Sequence, residues 1–318
     1  MLQHFIESQQ LTKSLIFSLF QRANQLRKGP YEVLKGKLLA TLFYEPSTRT
    51  RLSFESAMLK LGGQVITTEN AKEFSSTVKG ESLEDTIRVL SSYVDAIVIR
   101  HFEEGAAQRA ASISTVPIIN AGDGKGQHPS QALLDIYTIH RELGHLDNIK
   151  IVMVGDLAHG RTVRSLSYLL GKFENIEIIF VSPENLRIGD DIKEYLDRHN
   201  VRWREEIDLQ KVLLEADIVY LTRIQKERMS AEEYMNGKGK YIITEESLKL
   251  IKPAARILHP LPHVEEIEIP MEIEQNDPRI AYFRQAENGL YIRMALLEML
   301  LNKRVKETKD TQSLGNKS

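Results

Sequence analysis

The sequence predicts an α/β protein made of two doubly wound parallel-sheet domains. Short apolar runs rich in β-branched residues alternate with segments of helical period along the 318 residues. Such alternation is typical of a parallel sheet wound with helices. The alternation runs twice along the chain, and at ~100–200 residues per domain this length accommodates two domains.

The first series contains four strand-like runs. They lie at 37–45, 63–68, 94–100 and 114–120. The segment after Thr48 repeats apolar residues every three or four positions and stops at the glycine pair 62–63, as an amphipathic helix would. A long helical stretch at 128–144 then closes the series.

The second series has the same alternation. Its strand-like runs lie at 149–156, 176–182, 217–222 and 255–262. The last strong helical pattern, 286–304, has no strand after it, so we expect it to pack on the first domain. The expected domains are therefore residues 1–130, completed by the C-terminal helix 286–305, and residues 131–285.

Composition excludes several classes of site. The chain has 42 basic and 44 acidic residues, so no global positive field attracts nucleic acid and any anion site must be local. It has no cysteine, which excludes disulfides, thiolate ligands and cysteine nucleophiles. No leader pattern and no apolar run of ~18 residues is present, so we expect a cytoplasmic protein without a membrane segment. No metal or cofactor is expected.

The stretch S-T-R-T at 47–50 carries the first functional signal. Ser47 suits an N-cap, and the next three residues occupy a first helical turn, where free N–H groups and the positive end of the helix dipole attract anions. The Arg49 guanidinium matches a phosphate bidentately, and the hydroxyls add donors without bulk. The alternative is a plain cap with two solvated arginines.

Polar clusters follow other strand-like runs. At the carboxyl ends of parallel strands, where open α/β sheets bind ligands, such clusters are candidate sites. They are Arg100-His101, the loop GDGKGQHPSQ at 122–131, Arg161 in G-R-T, TRIQKER at 222–228, and HPLP at 259–262. A polar loop at 75–82 adds Ser75 and Lys79. Each cluster taken alone fits an ordinary structural role, but no single structural role accounts for all of the clusters.

In order and approximate spacing, these motifs resemble the catalytic chains of the aspartate carbamoyltransferase family, from Ser47 to Pro262 and through the last helix. The resemblance implies transfer of the carbamoyl group of carbamoyl phosphate to the amino group of L-aspartate, a step of pyrimidine biosynthesis. It also implies a homotrimer with shared sites. It leaves open whether separate regulatory chains bind.

Roles for individual residues come from the resemblance alone. Those that match carbamoyl-phosphate binders are Ser47, Thr48, Arg49, Thr50, Ser75, Lys79, Arg100, His128, Gln131, Leu261 and Pro262. Those that match aspartate binders are Lys79, Arg161, Arg223, Gln225 and Leu261. The catalytic positions would be Arg49, Thr50, Arg100 and His128. Ser75 and Lys79 would come from a neighbouring subunit, Leu261-Pro262 would form a cis-proline turn, and Glu45 and Arg228 would link the domains on closure.

The reaction explains this choice of side chains. Two anionic reactants must be held against their repulsion while an oxyanion develops, so arginines should outnumber carboxylates at the site. No unpaired carboxylate in the motifs is an obvious base. We therefore expect the departing phosphate to accept the amine proton.

Two alternatives remain at this point. An ornithine carbamoyltransferase would share the phosphate half, but should show H-C-L-P and an S-M-G loop, whereas Arg223 with Gln225 suits a second carboxylate. A non-catalytic phosphate-binding module would account for the anion pocket, but not for the arginines of the second domain.

Overall fold

The computed structural model describes residues 2–29, 31–71, 80–224 and 240–302. Four expected site residues lie outside these ranges: Ser75, Lys79, Gln225 and Arg228. The chain divides into two compact units. Unit 1 runs to Leu134 and resumes at Asn288, and unit 2 is Asp135–Glu287.

The described part of unit 1 contains a four-stranded parallel sheet. Its strands are β1 (Leu38–Phe43), β2 (Gln64–Glu69), β3 (Ala96–His101) and β4 (Ile118–Asp123). They lie in the order β2-β1-β3-β4, and every pair is parallel. Strands β1, β3 and β4 are almost wholly buried, which explains the apolar runs at β1, at the start of β3 and at the start of β4.

Helices accompany this sheet. They are α1 (Lys13–Leu26), α2 (Thr48–Lys60), α3 (Leu83–Ser91), α4 (Ala106–Ile113) and α5 (Pro129–Leu143). Helix α2 ends in a Schellman motif, in which Gly62 N–H donates to Leu59 O at 3.0 Å and Gly63 N–H to Met58 O at 3.1 Å. Gly62 has φ +82°, so the predicted glycine stop is confirmed.

Unit 2 has a larger parallel sheet among its described residues. Its strands are β5 (Lys150–Val154), β6 (Glu177–Val181), β7 (Arg202–Glu206), β8 (Ile218–Leu221) and β10 (Arg256–Leu258), in the order β10-β8-β5-β6-β7. Two short parallel strands, β9 (Ile243–Thr244) and β11 (Ile267–Glu268), form a separate ladder. Two doubly wound parallel sheets confirm the predicted fold class.

The remaining helices follow α5 along the chain. They are α6 (Arg161–Leu170), α7 (Asp190–Arg198), α8 (Gln210–Leu213), α9 (Glu245–Leu250), α10 (Met271–Asn276) and α11 (Tyr282–Asn302). The boundaries between the units fall inside α5 and α11. No helix in the described ranges has the length and apolar character that a membrane crossing requires.

The structure differs from the sequence expectations in particular elements. The strand expected at 255–262 is only three residues long, because the chain turns at His259. Strand β7, with the sequence RWREE, was not predicted, because this edge strand carries charged residues instead of an apolar run. Helix α1 was also missed, although it buries seven side chains.

Gly155 generates the first prediction. It has φ +119°, and a Cβ there would lie 2.2 Å from Thr222 O, whereas Gly144 has φ +83° with open space around it. We expect Gly144→Ala to lower the free energy of unfolding by about 1 kcal/mol, through backbone strain alone. Gly155→Ala should lower it by roughly 3 kcal/mol, because the chain segments at the ends of β5 and β8 must also move apart. Thermal unfolding midpoints measure the difference. Equal midpoints in the two variants would contradict the close approach.

Candidate functional site

Each sheet has one place where its strand order reverses direction. In unit 1 this switch point lies between β1 and β3, and in unit 2 between β5 and β8. Helices on opposite faces leave a crevice at the carboxyl ends of such strands, where open α/β sheets bind ligands. In unit 1, Glu45 and the S-T-R-T stretch follow β1, and Arg100 lies near the end of β3. In unit 2, Arg161 follows β5 and Arg223 follows β8. The other expected site residues in the described ranges follow β4 and β10, the strands next to β3 and β8.

The S-T-R-T stretch stands at the first switch point. Helix α2 begins at Thr48, with Ser47 as its N-cap residue, so the expected position is confirmed. The Ser47 side chain makes no cap hydrogen bond, which disfavours the alternative of a plain cap. The first turn of α2 carries no acidic residue, which leaves its N–H groups and positive dipole end uncompensated.

Arg49 is the principal cation of this helix start. Across the described residues it has neither a hydrogen bond nor an ion pair, whereas Arg51 on the same helix binds Glu55 at 3.2 Å and Glu69 at 2.8 Å. Partial desolvation lowers the pKa of Arg49 from its ordinary value, but a guanidinium stays charged. Arg49 therefore presents a positive charge that no described carboxylate neutralises.

Arg100 closes the other side of the switch point, at the end of β3. Its Nη1 donates to Ala121 O at 3.3 Å, and its Nε lies 3.4 Å from Glu45 Oε2. The chain leaving β1 is tied to it, because Tyr44 N–H donates to Arg100 O at 2.8 Å. Glu45 thus pairs within its own unit, and the domain-linking role expected for it stays a prediction.

An aromatic stack next to Arg100 was missed from the sequence. The His101 ring lies 4.5 Å from the Tyr44 ring and 4.3 Å from the Phe102 ring, between centroids. Its Nδ1 accepts from Glu103 N–H at 3.0 Å. Burial lowers the pKa of His101, although Glu103 and other carboxylates act against this. His101 therefore buttresses the strand end as an uncharged ring.

His128 and Gln131 stand where the glycine-rich loop becomes α5. Gln131 N–H donates to His128 O at 2.9 Å, and Pro129 occupies the first helical position, where no N–H is needed. Both side chains are buried. Ser130 Oγ lies 3.3 Å from His128 Nδ1, so a hydroxyl that donates there leaves Nε2 as the N–H donor.

Asp123 holds that glycine-rich loop, a role the sequence did not reveal. Its carboxylate accepts from the N–H groups of Gln127 at 3.1 Å and Gly105 at 3.0 Å, and from Asn120 Nδ2 at 3.0 Å. Because its oxygens already accept these hydrogen bonds, the Asp123 carboxylate holds the loop backbone in place.

The arginines of unit 2 follow neighbouring strands. Arg161 is the first residue of α6, after β5, and Arg223 lies two residues beyond β8. The two strand ends are joined, because Thr222 N–H donates to Val154 O at 2.8 Å. The first turn of α6, like that of α2, has no acidic residue.

The HPLP turn follows β10, the next strand of the same sheet. Its Leu261-Pro262 bond is cis, as the resemblance implies, and Leu261 has φ +56°. Leu261 N–H donates to His259 Nδ1 at 2.8 Å. Leu261 and Pro262 are therefore set by a hydrogen-bonded turn.

These arrangements suit anions. Unit 1 gathers a helix N-terminus, hydroxyls and two guanidiniums, which fit a phosphate, and unit 2 places arginines at strand ends, which fit carboxylates. Within the described ranges, no three His, Asp or Glu side chains are grouped as metal ligands would be.

Family models match both halves of the chain. Residues 3–141 match the model described as aspartate/ornithine carbamoyltransferase, carbamoyl-P binding domain. Residues 147–300 match the one described as aspartate/ornithine carbamoyltransferase, Asp/Orn binding domain.

Individual relatives agree with this match. The chain is 56% identical to aspartate carbamoyltransferase 1, chloroplastic, of Pisum sativum, over 94% of this chain and 79% of that one. It is 49% identical to the aspartate carbamoyltransferase catalytic subunit of Methanocaldococcus jannaschii, over 94% of this chain and 98% of that one. A solved Trypanosoma cruzi aspartate transcarbamoylase with carbamoyl aspartate and phosphate has a TM-score of 0.89 at 37% identity, covering 94% of this chain and 96% of that one.

The plant relatives correct one expectation. Five of them, from Pisum sativum, Oryza sativa and Arabidopsis thaliana, are named chloroplastic, which contradicts the expected cytoplasmic location. The expectation was wrong because it rested on an absence, and the lack of a recognisable leader does not identify the compartment in which a protein works.

The contrast between Arg49 and Arg51 yields a binding prediction. We expect Arg49→Ala to weaken binding of inorganic phosphate about tenfold or more, because a charge-assisted contact contributes ~1.5–3 kcal/mol. Arg51→Ala is the matched control, and should change phosphate affinity less than about twofold because its guanidinium is already occupied. Titration calorimetry measures both dissociation constants. Equal weakening in the two variants would show that only net charge matters.

Proposed function

The chain belongs to the aspartate/ornithine carbamoyltransferase family, and we propose that it transfers the carbamoyl group of carbamoyl phosphate to the amino group of L-aspartate. The products are N-carbamoyl-L-aspartate, an intermediate of pyrimidine biosynthesis, and phosphate. The observation that carries this proposal is that relatives 46–57% identical over 93–94% of the chain are named aspartate carbamoyltransferase. The arginines at both sheet edges support it.

Unit 1 is the carbamoyl-phosphate domain in this proposal. Ser47, Thr48 and Thr50 donate to phosphate oxygens from the start of α2, and Arg49 neutralises their charge. The missing capping bond of Ser47 and the unpaired guanidinium of Arg49 among the described residues support these roles. Ser75 and Lys79, outside the described ranges, complete the phosphate contacts.

Stabilisation of the developing oxyanion is the catalytic task. The amine attacks the carbamoyl carbon, a C–N bond forms, and the C–O bond to phosphate breaks without a covalent protein intermediate. Arg100, Thr50 and His128 donate to the carbonyl oxygen as its negative charge grows, and Gln131 orients the carbamoyl amide. Arg100 O accepts from the N–H of Tyr44, three residues before the N-cap of α2, and this supports the assignment.

The proton of the attacking amine goes to the departing phosphate. Phosphate gains negative charge as the C–O bond breaks, so its basicity rises when the ammonium product must lose its proton. Arg100 is cationic, the Thr50 hydroxyl is a weak base, and His128 is assigned to donate to the carbonyl oxygen, so none of these side chains takes the amine proton in this proposal.

Unit 2 is the aspartate domain. Arg161 and Arg223 bind the two carboxylates, with Gln225 as a further donor, and the Leu261-Pro262 turn presents carbonyl groups to the amine. Adjacent strands β5, β8 and β10 carry these residues, which supports a single dicarboxylate as their ligand. The second carboxylate distinguishes aspartate from ornithine.

A homotrimer with shared sites is part of the proposal. Helix α2 and edge strand β2 expose Leu52 (46%), Leu59 (59%) and Ile66 (41%), apolar surface that a second copy of the chain would cover. Ser75 and Lys79 would then reach the site of a neighbouring subunit. Regulatory chains are a further partner that a mass measurement of the purified complex would reveal.

The reaction itself is tested by phosphate release. We expect release from carbamoyl phosphate to depend on L-aspartate and to stay at background with L-ornithine, because only aspartate supplies a second carboxylate. Labelled carbamoyl phosphate should place its carbon in N-carbamoyl-L-aspartate. Phosphate release with L-ornithine would favour an ornithine carbamoyltransferase. Binding of carbamoyl phosphate without phosphate release would favour a non-catalytic phosphate-binding module.

Arg223 supplies a sharper test of substrate choice. Arg223→Ala should raise the KM for aspartate about 10- to 100-fold, because a bidentate guanidinium–carboxylate contact of ~1.5–3 kcal/mol is lost. Arg223→Lys should recover only part of this, since an ammonium cannot make the fork. Arg202→Ala, on exposed strand β7, is the control and should leave KM unchanged. A wild-type KM in Arg223→Ala removes the assignment.

Shared sites are tested by mixing two inactive variants. Chains with Lys79→Ala and chains with Arg49→Ala, dissociated and reassembled in equal amounts, should recover about a quarter of wild-type sites, because a site needs an intact residue from each neighbour. Steady-state activity of the mixture measures the recovery. A mixture that stays inactive while forming normal trimers would contradict shared sites.

A further inference from the structure

A network of buried polar side chains lies behind the HPLP turn, entirely within unit 2. Its members are Asp135, Tyr220, His259, Glu266 and Gln285, each of which is less than 9% exposed. A buried polar group destabilises the folded state unless it has a hydrogen-bond partner, so a linked set of five indicates that the local conformation is closely specified.

His259 connects this network to the HPLP turn. Its Nδ1 accepts the Leu261 N–H at 2.8 Å, so Nδ1 holds a lone pair and the imidazole proton is on Nε2. Nε2 lies 2.8 Å from Glu266 Oε1. The carboxylate therefore favours the one tautomer that can hold Leu261.

Gln285 ties the same turn to the sheet. Its Oε1 accepts His259 N–H at 2.8 Å, and its Nε2 donates to Asp135 Oδ1 at 2.6 Å. The other oxygen of Asp135 accepts from Tyr220 O–H at 2.8 Å, and Tyr220 belongs to β8. The backbone on each side of Pro260 is thus anchored.

Leu261 needs this anchoring because of its backbone conformation. A leucine at φ +56° is in the left-handed region, which costs roughly 1–2 kcal/mol and persists only where the surroundings determine it. The hydrogen bond from its N–H to His259 is a direct restraint on that conformation.

We propose that Glu266 is a positioning residue for the transfer reaction. Through His259 it fixes the Leu261-Pro262 turn in the orientation that receives the amino group of aspartate. This inference rests on the proposed function, in which that turn faces the amine. Glu266 itself does not touch substrate.

The charge of Glu266 fits this role. Burial raises its pKa, but His259 and backbone N–H groups lower the pKa further, so that it stays below its ordinary value and the group is ionised. Without an acceptor at this position, the imidazole proton could move to Nδ1, where it would oppose the Leu261 N–H. The turn would then lose its restraint.

Four variants of the full chain test the proposal. Glu266→Ala removes the acceptor, and Glu266→Gln retains an acceptor oxygen. Glu142→Ala and Glu142→Gln are matched controls, because Glu142 is a largely buried carboxylate of the same unit, paired with Arg256 at 2.8 Å and Arg284 at 2.7 Å, and no part of the assigned site.

Kinetics should separate positioning from folding. We expect Glu266→Ala to raise the KM for aspartate about tenfold or more, since a displacement near 1 Å can cost ~10²-fold, while the dissociation constant of carbamoyl phosphate alone changes less than about twofold. Glu266→Gln should restore most of the aspartate affinity. A wild-type KM in folded Glu266→Ala, or an equal rise in Glu142→Ala, overturns the proposal.

Hydrogen exchange provides a readout that does not depend on activity. A peptide spanning 259–263 contains two prolines and therefore few amides, so the Leu261 N–H contributes strongly to its protection. We expect faster exchange of this peptide in Glu266→Ala, and wild-type exchange in Glu142→Ala. Unchanged exchange in Glu266→Ala overturns the mechanical link. If the wild-type chain shows no aspartate-dependent phosphate release, the proposed function fails, whereas the link from Glu266 to Leu261 is still decided by exchange.

Discussion

The guanidinium of Arg49 stands at the positive end of α2, and no carboxylate among the described residues approaches it. An arginine in a first helical turn opposes the helix dipole, so its position costs stability in the absence of an anion. The neighbouring Arg51 shows the usual solution, which is pairing with Glu55 and Glu69. Arg49 has no such partner within the described ranges, and we propose that an incoming dianion supplies one. In this proposal the charge of Arg49 serves to bind a ligand.

The two units apply the same device at equivalent places. Each has a buried parallel sheet whose order reverses once, and at each reversal a helix starts with a basic turn that contains no acid. The buried strands hold these turns rigidly, because backbone ladders fix where each strand ends. Polar support then differs between the units. In unit 1 the aromatic ring of His101 and the carboxylate of Asp123 hold loops, whereas in unit 2 the buried network through Gln285 holds the HPLP turn.

Sequence patterns predicted the buried strands and the helix starts, because those features are local. Strands buried on both faces give apolar runs, and the residues of the S-T-R-T motif mark the start of a helix. Strand β7 was not predicted because its sequence, RWREE, is charged and has no apolar run. The pairing of Glu45 with Arg100 was not predicted because it depends on β1 and β3 becoming neighbours. The approach of Glu266 to His259 was not predicted because it depends on the path of the chain between β10 and β11. The sequence places His259 in a motif, but nothing local shows which ring nitrogen carries its proton.

The most direct measurement is a crystal structure of the chain with carbamoyl phosphate bound. We expect the phosphate at the N-terminus of α2, within hydrogen-bond distance of Arg49 and Thr50, with the carbonyl oxygen directed to Arg100 and His128. A phosphate bound elsewhere, with Arg49 still directed to solvent, would contradict the proposed role of Arg49.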